Sequence, residues 1–157
     1  MKILKIMNLR EFIRREKMTI RQFFYNLKEV QPVKVELAEN EYRKLEEQVN
    51  GALPAEHISG GSNSIQTVPP VLIQYETAKE NYEREKRKYE KMVKKAETYI
   101  NELKNPVWHA IMRQRYLLNW AWHTIEVTNN FKYYRTMMRI HKSALDELTQ
   151  RHKEVSF

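Results

Sequence analysis

The chain has 157 residues, no cysteine, three glycines and five prolines, with 31% charged residues and a formal net charge of +8. This length holds one or two small domains, and few Gly and Pro beside so much charge describe a mostly helical chain. The lack of cysteine excludes disulfides and thiolate metal sites and makes a reducing cytoplasm the expected compartment. No apolar run is long enough for a membrane span, and the apolar start is broken by Lys5 and Arg10, unlike the unbroken core of a signal peptide.

The charge is spread unevenly. Residues 1–24 carry seven Lys/Arg against two Glu, residues 25–104 thirteen against fourteen, and residues 105–142 six against one acid, Glu126. A positive excess near both ends of a neutral middle is the electrostatic footprint of a phosphate-binding surface.

In chain order, residues 9–17 and 19–30 read as helices. Thr19-Ile20-Arg21-Gln22 fits a capping box that starts a helix at Thr19. Phe12, Ile20, Phe23, Phe24 and Leu27 recur at roughly helical spacing. Pro32 is expected to end this element, and the alternation Val33-Lys34-Val35-Glu36-Leu37 to form a short extended segment. Residues 39–50 read as a helix with Tyr42, Leu45 and Val49 on one face and Gly51 just past its end. Residues 51–70 contain all three glycines, Pro54, Pro69 and Pro70, and show no periodicity, as a flexible linker does. They lack the ending of a phosphate-binding loop, so no nucleotide site is assigned.

Residues 71–104 carry the clearest periodicity. Tyr75, Tyr82, Tyr89, Ala96 and Leu103 recur every seven residues, Ala78, Met92 and Tyr99 form a second row, and Val93 and Ile100 widen the stripe. Glu83 with Arg87 and Glu90 with Lys94 add i,i+4 pairs. This predicts a long amphipathic helix, hairpin-like or coiled-coil-like, and the longest element of an all-α protein. Its seam has three candidate partners: the helix at 39–50 folding back, the N-terminal helices, or a second subunit. A homodimer is expected because the seam and the N-terminal apolar residues are extensive for one small domain to bury. The balanced charges beside the tyrosines favour packing over base stacking.

The last third, residues 105–157, reads as three short helices ending in a basic one, a helix-turn-helix module. Asn105 and Pro106 suit a helix start. Val107, Ala110, Ile111, Leu117 and Leu118 supply a core face, and Trp120, Trp122 and Ile125 its middle. Asn129-Asn130 marks a turn. From Lys132 a helix restarts with Met137, Ile140, Ala144, Leu145 and Leu148 inward, leaving Lys132, Arg135, Arg139 and Lys142 outward. Tyr133, Tyr134 and Thr136 complete its front and suit contacts with phosphates or base edges. Arg113 and Arg115, on the first helix of the three, are further candidates for the DNA backbone or a protein partner.

This stretch resembles region 4 of bacterial primary sigma factors, especially small phage-encoded relatives. The resemblance rests on Met112-Arg113-Gln114-Arg115-Tyr116-Leu117, on Trp122-His123-Thr124-Ile125, and on the tail Ile140-His141-Lys142-Ser143-Ala144-Leu145-Asp146-Glu147-Leu148. More distantly the whole chain is similar to ArpU/RinA-type phage late-transcription regulators, in which a charged helix and a Gly/Ser/Pro-rich loop precede such a module. The chain departs from that pattern at the turn, where Asn129 and Asn130 replace an apolar residue and Gly, and one extra residue separates Ile125 from Met137. The resemblance implies a phage or prophage transcription regulator in a bacterial host cytoplasm, with double-stranded DNA and host RNA polymerase as partners.

No enzyme is expected. The five histidines lack metal-ligand spacing, HExxH is absent, and no nucleophile motif is present, so neither metal nor cofactor is assigned. Two other readings remain open at this stage: a packaging protein like a small terminase subunit, and a helical adaptor that binds protein without touching DNA.

Overall fold

The computed structural model describes residues 18–52 and 69–155. The elements are α1 (Ile20–Tyr25), a π-helical turn (Asn26–Val30), α2 (Gln31–Ala52), α3 (Pro70–Asn101), α4 (Pro106–Tyr116), α5 (Trp122–Thr128) and α6 (Tyr134–Arg151). Among the described residues the structure is all-helical, and extended backbone pairs only at an isolated antiparallel bridge between Met18 and Val155. The expected helix at 9–17 and most of the linker at 51–70 lie outside the described residues.

Thr19 starts the first helix as its local chemistry dictates. Its hydroxyl accepts the Gln22 N–H at 3.2 Å, and the Gln22 side chain accepts the Thr19 N–H at 2.9 Å. Pro32 does not end the helical path, and residues 33–37 are helical rather than extended. The π turn explains the first correction. It widens the backbone just before Pro32, where a regular helix would set the proline ring against the carbonyl four residues back and demand an N–H that proline lacks. The second correction is one of period. The sheltered row is Val35, Ala38, Tyr42, Leu45 and Val49, at alternating spacings of three and four, while Val33 and Leu37 are exposed. α3 is the longest element at 32 residues and runs unbroken past Tyr89.

By packing, residues 29–91 form one compact unit and residues 18–28 with 92–155 another. In the first unit Gln31, at the start of α2, donates through Nε2 to the Glu85 carboxylate at 2.8 Å. Tyr42, further along α2, stacks on Tyr82 with centroids 5.8 Å apart and meets Tyr75 at 5.5 Å. The two helices therefore run in opposite directions. Of the three candidate partners for the tyrosine seam, the returning helix is the one found facing Tyr75 and Tyr82.

The second unit holds the larger core. Ile20, Phe23, Phe24 and Leu27 bring α1 into it, with Met92, Ala96, Tyr99 and Ile100 from α3, Ile111 and Met112 from α4, Ile125 from α5, and Met137, Ala144, Leu145 and Leu148 from α6. Phe23 meets Phe24 and Tyr99 edge to face at 5.1 and 5.6 Å, and Phe24 packs on Tyr116 at 4.6 Å. Such aromatic pairs add to the area they bury. Because Phe23 is fully buried, Phe23→Ala should cost about 3–5 kcal/mol. Urea denaturation followed by the α-helical signal measures this, and a loss below about 1 kcal/mol would contradict the packing of α1 described here.

Candidate nucleic-acid interface

Helices α4, α5 and α6 are joined by two five-residue connections, 117–121 and 129–133. Ile111, Ile125 and Met137, one from each helix, meet in a small buried cluster flanked by Trp120, Trp122, Phe131, Met138 and Ile140. Asn105 caps α4 by accepting the Val107 N–H at 3.0 Å and the Trp108 N–H at 3.3 Å, with Pro106 behind it where no N–H is needed. Of the expected core face, Ile111 is buried while Val107 and Leu118 are exposed, and Met112, which the sequence did not assign to that face, is fully buried.

Both connections turn on an asparagine in the left-handed region. Asn119 has φ 58° and Asn130 φ 54°. At the end of α5, the Asn130 N–H reaches the Val127 carbonyl at 3.2 Å and the Phe131 N–H the Glu126 carbonyl at 3.0 Å. This is the Schellman closure in which glycine is usual. Asn tolerates it because its short polar side chain makes the left-handed conformation cheaper than it is for other L-residues. The neighbouring Asn129 fixes the turn to α4, donating to the Gln114 side-chain oxygen at 2.8 Å and to the Ile125 carbonyl at 2.7 Å.

The side chains of α6 and of the two residues before it divide cleanly. Met137, Ala144, Leu145 and Leu148 are buried and Ile140 is half-buried, whereas Lys132, Tyr133, Tyr134, Arg135, Thr136, Arg139 and Lys142 are all exposed. Arg135, Arg139 and Lys142 follow at spacings of four and three, so they form one row about 10 Å long at 1.5 Å rise per residue. Among the described residues no ion pair reaches any of the three. Lys132 lies over the Tyr133 ring at 5.4 Å. Tyr133 takes the N-cap position in an extended conformation without a side-chain cap, so the first turn of α6 presents uncapped N–H groups and the positive end of the helix dipole beside this row.

The two arginines of α4 are placed differently. Arg113 is exposed and stands 3.8 Å from Glu97. Arg115 is built into the α4–α5 connection, donating to the Trp120 carbonyl at 3.1 Å with its guanidinium 4.6 Å from the centre of the Trp122 ring. Its surroundings hold the turn in shape.

Behind the row lies His141. Its Nε2 is 2.9 Å from the Tyr116 hydroxyl, its ring stacks on Tyr116 at 5.8 Å, and the edge of Trp122 meets it at 4.8 Å. Burial, followed by the positive charges of Arg115 and Arg21, lowers its pKa from 6.5 to about 4. The ring is therefore neutral at pH 7, and Nε2 shares one hydrogen bond with the Tyr116 hydroxyl.

Among the described residues no group of His, Asp and Glu could hold a metal ion, and no helix is long and apolar enough to cross a membrane. No protein-family model, curated protein or solved structure matches the chain.

Two outcomes test this construction. Between pH 6.5 and pH 4 the unfolded chain takes up a proton that folded His141 refuses. The stability tied to His141 is thus complete above pH 6.5 and falls as the pH drops toward 4, by about 3 kcal/mol in all. Urea midpoints at pH 7 and pH 4.5 should separate less in His141→Gln than in the parent chain; equal separations would exclude the buried neutral ring. At the turn, Asn130→Val should cost about 1–2 kcal/mol while Asn130→Gly leaves the chain at least as stable. Equal losses in these two variants would rule out the left-handed turn.

Proposed function

We propose that the chain binds double-stranded DNA by laying the front of α6 in the major groove, and that it acts as a transcription regulator of the phage or prophage kind. The observation that carries this is the exposed row Arg135, Arg139 and Lys142, free of ion pairs with the described residues and flanked by Lys132, Tyr134 and Thr136. Cations that the protein leaves unneutralised on one side of a helix are available to displace counterions from phosphates. The helix is stiffened from behind by the cluster of Ile111, Ile125 and Met137, so its front is presented on a rigid support. The major groove, about 12 Å wide, accepts an α-helix.

In this reading Lys132 and Lys142 contact phosphates, Arg135 and Arg139 reach base edges or phosphates, and Tyr134 and Thr136 donate hydroxyl hydrogens. Arg113 faces the DNA backbone or host RNA polymerase. Arg115 supports the turn. The resemblance of residues 112–117, 122–125 and 140–148 to sigma region 4 supplies the regulatory assignment.

The test compares the parent chain with Arg135→Ala/Arg139→Ala on a labelled duplex taken from upstream of the chain's own coding sequence, at several salt concentrations. Each lost phosphate contact should flatten the dependence of log K on log salt by about one unit, and each lost base contact should cost roughly 1–3 kcal/mol. A double variant that binds as tightly as the parent at every salt concentration would sink the proposal.

A further inference from the structure

α6 changes sign along its length. The row Arg135, Arg139, Lys142 continues at the same helical spacing to Asp146, about 16 Å beyond Arg135 at 1.5 Å per residue. Asp146 and Glu147 are the only acids of this helix. Left bare, they would repel a phosphate strand running past Lys142. Neither is bare: Glu147 pairs with Arg151 on its own helix, and Asp146 pairs through Oδ1 with Nη2 of Arg21, which comes from α1, 125 residues earlier in the chain.

Arg21 is well placed for more than neutralisation. Its backbone is fixed by the fully buried Ile20, Phe23 and Phe24 on the other side of α1. A second tie holds the far end of the same helical segment, where the Lys28 ammonium donates to the Asn119 side chain and to its carbonyl at 3.3 Å. The Arg21 side chain remains 47% exposed while engaging Asp146. A guanidinium carries five N–H donors in a planar fork, and the bond to Asp146 occupies one of them.

We propose that Arg21 extends the basic row of α6 by contacting a DNA phosphate, with Asp146 as the positioning residue that aims its guanidinium. This rests on the reading of α6 as a DNA-binding helix. The contact surface is then assembled from both ends of the chain, and α1 has a role at the DNA besides its place in the core.

The experiment measures duplex binding by fluorescence anisotropy, across several salt concentrations, for the full chain, for Arg21→Ala/Asp146→Ala and for Arg135→Ala/Arg139→Ala. The first variant removes one charge of each sign, so net charge is unchanged and no acid is left unmasked. A loss of binding cannot then be assigned to bulk electrostatics. The pair is surface-exposed, and such pairs contribute little to stability; thermal unfolding of each variant checks this. Arg21→Gln/Asp146→Asn keeps the side-chain stems in place should the alanine pair unfold. The expected result is a salt slope lower by about one unit in either Arg21/Asp146 variant. If that slope equals the parent's while Arg135→Ala/Arg139→Ala binds poorly, Arg21 only clamps α1 and the inference falls, with the function of α6 intact. If Arg135→Ala/Arg139→Ala binds as the parent does, the reading of α6 falls and this inference with it.

Discussion

The burial of Phe23 and Phe24 is the constraint on which the larger unit depends. These two side chains, with Ile20 and Leu27, fill the space between the end of α3, the start of the C-terminal helices and the inner face of α6. Phe23 meets Tyr99 and Phe24 meets Tyr116, and Tyr116 in turn holds His141. One short helix thereby fixes the position of α4 against α6, and with it the angle at which the basic row is offered to solvent. Without α1, only the end of α3 and the cluster of Ile111, Ile125 and Met137 would support the C-terminal helices, and short helices rely on tertiary packing for most of their stability.

Residues 29–91 are built on another principle. Their fully sheltered positions are small or polar, namely Ala38, Ala78 and Gln31, and Tyr42 and Tyr75 keep their hydroxyls engaged. Tyr42 donates to Glu46 at 2.9 Å and lies 3.4 Å from the Tyr75 hydroxyl. Those bonds and the nearby carboxylate raise the Tyr42 pKa. A seam of stacked tyrosines and one Gln–Glu bond fixes register more than it excludes water, since each polar group accepts few alternative partners.

Local chemistry was legible in the sequence; long-range chemistry was not. The capping box at Thr19, the Asn105 cap, the unbroken helix through Tyr89 and the exposed front of α6 each follow from residues within a few positions of one another. Pro32 misled because a π turn has no signature of its own, and proline is read as a stop when the backbone ahead of it is assumed regular. The alternation at 33–37 misled because Val33 and Leu37 are apolar residues that stay exposed, while the sheltered row passes through Val35 and Ala38. The amide pair of Gln114 with Asn129, the bond from Tyr116 to His141 and the pairing of Arg21 with Asp146 join residues 15 to 125 positions apart. A single sequence carries no local signal for such pairings. The candidate site was thus readable as a list of exposed cations, and the supports that orient them were not.

The bridge between Met18 and Val155, 2.8 and 3.0 Å at its two hydrogen bonds, has a consequence during synthesis. Every partner of α1 named above lies beyond residue 91, as far as Asp146, and Met18 just ahead of it waits for Val155. A ribosome adding about 5–20 residues per second needs roughly 6–25 s to travel from α1 to the end of α6. Ile20, Phe23, Phe24 and Leu27 first wait for Tyr99 and Tyr116 and then for the inner face of α6, and the long loop that closes between Met18 and Val155 raises the entropic barrier to docking. The nascent chain therefore offers an apolar helix with an arginine and a lysine beside it for many seconds, and the support that orients the exposed row of α6 is complete only once α1 meets α6.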